Sequence, residues 1–158
     1  MTDNPWQAWI GRSETATCRA DGWPLVALAA ALDGQAALAD GAPLPALAHW
    51  CYFVPTAAQA QLGPDGHPPR GGLIPPLVQP RRMWAGSEIT FHAPLRLGGD
   101  LVRSSTVADV ATKAGSSGPL VFLRLRHDWR DGQDTPLLSE VQTLVYRDPP
   151  DPDEGKPR

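Results

Sequence analysis

The residues of this 158-residue sequence best suited to moving protons are its four histidines, because an imidazole titrates near neutral pH. His67 stands two residues after Asp65 in "LGPDGHPPRGGLIPPLVQPRRMW", residues 62–84. An Asp-x-His spacing can support a base held in orientation by a carboxylate. The same letters are also turn chemistry, since Asp followed by Gly favours a tight turn, so both readings stand. His49 lies beside Trp50 in "LPALAHWCYFVP" and could face a cleft above a short helix. His92 falls on the polar side of an alternating segment and reads as a solvated or interface side chain. His127 falls on the apolar side of another, beside Trp129, where a hydrogen-bonded core histidine is expected. His67 with Asp65, and His49, are therefore the catalytic candidates.

Other chemistries find less to work with. The histidines are dispersed, and none stands on a predicted helix at i, i+4 from another ligand type, so no metal site is expected. Cys18 and Cys51 match no metal or redox spacing and read as small buried apolar residues in a reducing compartment. There is no Gly-x-Ser-x-Gly nucleophile turn, and "GSSG" at 115–118 does not open a helix, so it is not a phosphate cradle. Arg81 and Arg82 could grip a phosphate or carboxylate at the mouth of a groove, or could simply be solvated charges at a strand start. A net charge of -3 with scattered arginines excludes a phosphate-neutralising stripe, hence a nucleic-acid partner. The N-terminus is polar and the longest apolar run, Leu25 to Leu32, is far short of the ~20 residues of a membrane-spanning helix. A cytoplasmic protein with no membrane association is expected.

The elements that must position these side chains follow from periodicity. Leu25, Leu28, Ala29 and Leu32 repeat at i, i+3, i+4, i+7, with Pro24 suited to a first turn and Gly34 to a stop, which predicts a helix from about Pro24 to Asp33. Leu47, Trp50, Cys51 and Val54 share a second helical face, which Pro55 should end or kink after about two turns. The second half alternates at period two. "EITFHAPLRL" places Ile89, Phe91, Ala93, Leu95 and Leu97 together, with Pro94 marking an edge or a bulge. "LVRSSTVADVATK" carries Val102, Ala108 and Val110 on one side, "LVFLRLRHDWR" carries Val121, Leu123, Leu125 and Trp129, and "LLSEVQTLVYR" carries Val141, Thr143 and Val145. Helices followed by four or five strands on short turns mean α+β with a mainly antiparallel sheet. The segment from Leu47 to Val54 supplies the aromatic face that should cover it, the outline of a hot-dog fold: about five antiparallel strands packed on a short central helix. One domain spans 1–147, and the charged, proline-rich residues 148–158 read as a disordered tail.

Two stretches taken together, "HWCYFVPTAAQAQLGPDGHPPRGGLIPPLVQPRRMWAGSEITFHAPLRLGG" and "SSGPLVFLRLRHDWRDG…LLSEVQTLVYR", resemble the N-terminal half of the MaoC-like, type 2 hydroxyacyl-thioester dehydratases, a group that includes mesaconyl-CoA and itaconyl-CoA hydratases. The resemblance runs from about Trp6 to Arg147. It implies a hot-dog domain fused to, or paired with, a second hot-dog. In the second half an Asp or Asn and a His activate water for addition to an enoyl thioester, while glycine amides at a helix N-terminus polarise its carbonyl. No Asp-x-Asn-Pro-x-His or Asn-x-His-x-x-His stretch occurs in this sequence.

The expectation is an accessory subunit of an enoyl-thioester hydratase or dehydratase. It would complete a hetero-oligomer with a MaoC-like catalytic chain and shape the acyl pocket. Trp50, Tyr52, Phe53, Met83 and Trp84 would form the apolar wall, with Arg81 and Arg82 meeting phosphate at the rim. No separate cofactor is implied, because the substrate brings its own coenzyme A or carrier-protein phosphopantetheine. A self-sufficient homodimeric hydratase or thioesterase, and a non-catalytic acyl-CoA-binding protein, are the alternatives. The helix break at Pro55 also predicts an unfilled interior over Trp50 and Phe53.

Overall fold

The computed structural model describes residues 5–36, 39–115 and 118–149. Most of the expected tail lies outside them. Five strands form one antiparallel sheet: β1 (Ser13–Arg19), β2 (Arg81–Phe91), β3 (Asp100–Gly115), β4 (Gly118–Asp131) and β5 (Pro136–Arg147), in the order β1-β3-β4-β5-β2. β3, β4 and β5 form a meander. The β4–β5 turn is held by Asp131, whose Oδ1 accepts the backbone N–H groups of Gln133 and Thr135 at 2.9 and 2.8 Å.

The helix α1 (Trp23–Ala31) forms where periodicity places it, with proline in its first turn. Its apolar stripe does not go inward as a whole. Leu25 is buried against Ala48 and Leu97, whereas Leu28 is partly exposed and Leu32 largely exposed. The element that covers the sheet is the predicted Leu47–Val54 segment, but it is a single 3-10 turn, Ala48–Cys51, in place of two α-helical turns. Its ends explain this. Leu47 and Phe53 both take left-handed backbone conformations, at φ 69° and 57°, and these stop the turn on either side before Pro55 is reached.

Strand phase is read correctly for β4, where Val121, Leu123, Leu125 and Trp129 are buried together. In β3 the expectation is corrected. Leu101, Ser105 and Val107 point inward, a bulge between Val107 and Asp109 then resets the alternation, and Val110 follows on the same face while Ala108 is exposed. In β5 the face that meets the cavity and core is that of Leu138, Glu140, Leu144 and Tyr146, opposite to that of Val141, Thr143 and Val145. β2 begins earlier than the alternation suggests, at Arg81, and ends at Phe91. β1 has no apolar alternation to announce it. It exists by pairing with β3, from Ser13 opposite Thr106 to Arg19 opposite Asp100.

Candidate active site

Between the inner face of the sheet and the segments that cover it lies a cavity of about 560 Å³, within the size range of small-molecule sites. The interior over Trp50 and Phe53 is therefore open, beside a covering turn that Leu47 and Phe53, and not Pro55, cut short. Two chain segments supply the cover: the 3-10 turn with the residues after it, and the proline-rich loop before β2.

The inner face of the sheet carries a polar row among its apolar side chains. Ser105 on β3 stands opposite His127 on β4, and His127 stands opposite Glu140 on β5. All three line the cavity. The His127 Nδ1 is 2.8 Å from the Ser105 hydroxyl, so the expected hydrogen-bonded histidine is present. Burial, aided by the charge of Arg103, pushes its pKa below the ordinary imidazole value.

Glu140 is 3 % exposed and His49 2 %. Their side chains meet from opposite sides of the interior, His49 Nε2 lying 3.4 Å from Glu140 Oε2. The Trp50 indole N–H also reaches the carboxylate, at 3.3 Å from each oxygen. Burial alone would raise the Glu140 pKa. Contacts with His49, Ser87 and Trp50 outweigh it and hold the carboxyl below its ordinary range. His49 further packs edge-on to Trp129, with ring centroids 5.4 Å apart.

The loop owes its shape to Arg70. Its guanidinium donates to the backbone carbonyls of Leu77 and Gln79, both at 2.6 Å, and of Pro80 at 3.2 Å. It also pairs with Asp65 at 3.3 Å and stacks over the Tyr146 ring at 4.8 Å. Asp65 is thereby accounted for. Its Oδ1 accepts the His67 backbone N–H at 3.2 Å, its Oδ2 faces Arg70, and the His67 Nδ1 bonds to the Asp65 backbone carbonyl at 2.8 Å. The nearest approach of the His67 ring to the Asp65 carboxylate is 3.9 Å. This is the geometry of a turn closed on itself: burial pushes the carboxyl up, and the His67 amide and Arg70 together outweigh it and hold the group below its ordinary range.

Of the residues singled out from sequence, His49, Trp50, Tyr52, Phe53, Asp65, His67 and Arg82 all line the cavity. Arg81, Met83 and Trp84 are not among the lining residues. Trp84 is largely exposed, packs edge-on to Trp50 at 6.5 Å and donates to Ser87 at 3.3 Å. Tyr52 is buried and donates its hydroxyl to the Asp21 carbonyl at 2.9 Å, and burial pushes its pKa up to about 12. His92 is exposed, 3.2 Å from the Ser139 hydroxyl. Cys18 and Cys51 are free and partly buried against the core. Sequence reading missed Glu140, Ser105, Arg103 and Arg70. For Glu140 the signal is incomplete, because a regular hairpin closing between Asp131 and Thr135 puts residue 139 opposite residue 127, and a bulge between Trp129 and Arg130 moves residue 140 into that place.

Among the described residues no group of acidic, histidine or cysteine side chains could hold a metal ion, and no helix is long and apolar enough to cross a membrane. What the arrangement offers is an interior of mixed character: aromatic walls, a buried histidine–carboxylate contact, and arginine side chains.

Comparison with known proteins is consistent with this architecture. The mesaconyl-C(4)-CoA hydratase of Chloroflexus aurantiacus is 44% identical over 154 residues, covering 94% of this chain and 53% of that protein. The chain thus spans about half the length of this curated relative. A chain of the ChsH1-ChsH2 complex from Mycobacterium tuberculosis shares the fold, with a TM-score of 0.57 at 16% identity over 92% of this chain and 88% of that one, which bears out the hot-dog architecture. Residues 47–158 match the model of type 2 hydroxyacyl-thioester dehydratases. The chain belongs to the type 2 hydroxyacyl-thioester dehydratase family.

Proposed function

We propose that this chain is one hot-dog half of a two-part hydratase or dehydratase of acyl thioesters, adding water to an enoyl thioester or removing it from a 3-hydroxyacyl thioester. It acts as an accessory, pocket-forming subunit, and the water-activating base and the amides that stabilise the enolate come from a MaoC-like partner chain. The observation that carries this reading is the cavity over Trp50 and Phe53, in a chain that spans half of a hydratase relative. Aromatic rings suit the acyl portion of the substrate, and Arg82 at the wall suits an anionic group of the arm that delivers it. The thioester arrives on coenzyme A or on a carrier protein's phosphopantetheine, so the chemistry needs no further cofactor, and the cytoplasm is where both are met.

The test is hydration of crotonyl-CoA by the purified chain, alone and with a MaoC-like chain that co-purifies with it. Negligible turnover alone and full turnover in the complex are expected. Full turnover alone would favour a second reading, a self-sufficient homodimer, which the buried contact between His49 and Glu140 at the cavity wall supports. In that case His49→Ala should abolish activity.

A further inference from the structure

Hydration by a partner's base leaves one reactive pair of this chain without a task. The Ser105 hydroxyl and the His127 Nδ1 lie 2.8 Å apart, on facing positions of β3 and β4, and both side chains line the cavity. With the imidazole proton on Nε2, Nδ1 accepts from the Ser105 O–H, which is how a base prepares a hydroxyl for attack. Burial, aided by the charge of Arg103, keeps the ring in the neutral form this needs near pH 7. The Glu140 carboxylate, opposite His127 in register, and a hydrogen bond from the ring to Gln142 both favour the imidazolium that forms as the proton moves. Nucleophile, base and carboxylate thus stand in one row across β3, β4 and β5.

The fold has little use for this arrangement. Ser105 is 1 % exposed and precedes the buried Val107 on the inner face, where a small apolar side chain would fill the space with no hydroxyl to satisfy. His127 is only partly buried and faces the cavity. Arg103, two residues from Ser105, lines the same cavity and makes no hydrogen bond or ion pair among the described residues, its Nε being buried without a partner. It is a donor available to negative charge that develops on a carbonyl oxygen attacked by Ser105.

We propose that this chain is also an acyl-transfer site, in which Ser105 attacks the thioester carbonyl, His127 takes its proton, and the thioester is hydrolysed through an acyl-serine. This rests on the acyl-thioester reading given above. The C–S bond breaks and the coenzyme or carrier leaves as a thiol, taking the proton from His127. Water, deprotonated by His127, then attacks the acyl ester. The free carboxylic acid departs and the proton returns to Ser105.

The experiment incubates the full chain with butyryl-CoA, whose saturated acyl group has no double bond to hydrate, so that release of free coenzyme A thiol reads hydrolysis alone. Release is expected, with the peptide carrying Ser105 heavier by one butyryl group after acid quenching. Ser105→Ala and His127→Gln should each slow release by about a hundredfold, while binding of butyryl-CoA, read by calorimetry, is kept. Ser105→Cys retains a nucleophile of similar size and should still take up the acyl group. It decides if the alanine variant does not fold, and a cysteine variant that takes up no acyl group overturns the assignment. Release by Ser105→Ala at the parent's rate overturns the acyl-serine. No release from a chain that binds butyryl-CoA overturns the proposal and leaves the thioester reading standing, whereas no binding removes both.

Discussion

His49 and Glu140, 91 positions apart, approach to 3.4 Å in the interior while each is almost entirely shielded from solvent. The contact joins the sheet to the turn that covers it. It brings an imidazole and a carboxylate to the wall of the cavity, and it fixes Trp50 through the same carboxylate.

Removing that carboxylate should be costly. Glu140→Ala leaves the Trp50 indole N–H and the His49 ring facing an empty, buried space, a situation worth about 2–4 kcal/mol. Glu140→Gln keeps an acceptor and should lose less. Urea unfolding of the two variants checks the order, and an alanine variant as stable as the parent would mean that the carboxylate is not a structural tie.

Acid should act through the same residue. The folded Glu140 carboxyl lies below its ordinary value, so it binds a proton less readily in the fold than in the unfolded chain. The stability it supplies is complete above the unfolded value of about 4.3 and is lost as the pH falls through the folded value. The unfolding midpoint of Glu140→Gln should therefore fall less steeply than that of the parent below about pH 4.3.

His127 acts in a higher window. Its pKa is depressed by burial and by Arg103, so the neutral ring belongs to the fold. Stability from it is whole above the unfolded histidine value of about 6.5 and falls as the pH drops below that. His127→Gln should flatten the dependence of the thermal midpoint between about pH 7.5 and 5, and an unchanged slope would contradict the assignment.

Arg70→Met should loosen the loop as a unit. It deletes bonds to the carbonyls of Leu77, Gln79 and Pro80 together with the pair to Asp65. A loss of about 2–4 kcal/mol and new proteolytic cleavage within 62–80 are expected. Lysine should not rescue it, because a single ammonium cannot span four acceptors.

Leu47 is half-exposed yet held at φ 69°. A leucine in the left-handed region costs about 1–2 kcal/mol, so Leu47→Gly should raise stability by about 1 kcal/mol, read from the urea midpoint.

The sheet was legible in sequence wherever one face of a strand is apolar and the other polar. β4 shows this, and it led to His127 on the inner face beside Trp129. β5 was not legible in the same way. Leu137, Leu138, Leu144, Val145 and Tyr146 are buried on both of its faces, so alternation does not choose between them, and the apolar set Val141, Thr143, Val145 drew attention away from Glu140. β3 was misphased because a bulge adds a residue without leaving a mark in composition. β1 is polar and depends on its partner. Arg70 was invisible for another reason: four of its five interactions run to backbone carbonyls or to a ring brought near by the fold. Asp65 and His67 were read as either a dyad or a turn, and the hydrogen bonds favour the turn.

The 62–84 stretch contains six prolines, and their consequence is thermodynamic. Each proline narrows the conformations open to the unfolded chain, and Arg70 fixes what freedom the loop retains. The wall this loop gives the cavity is ordered when the protein folds, with little entropy left for a ligand to remove. Affinity at such a wall is set by the contacts made on arrival and not by the cost of arranging them.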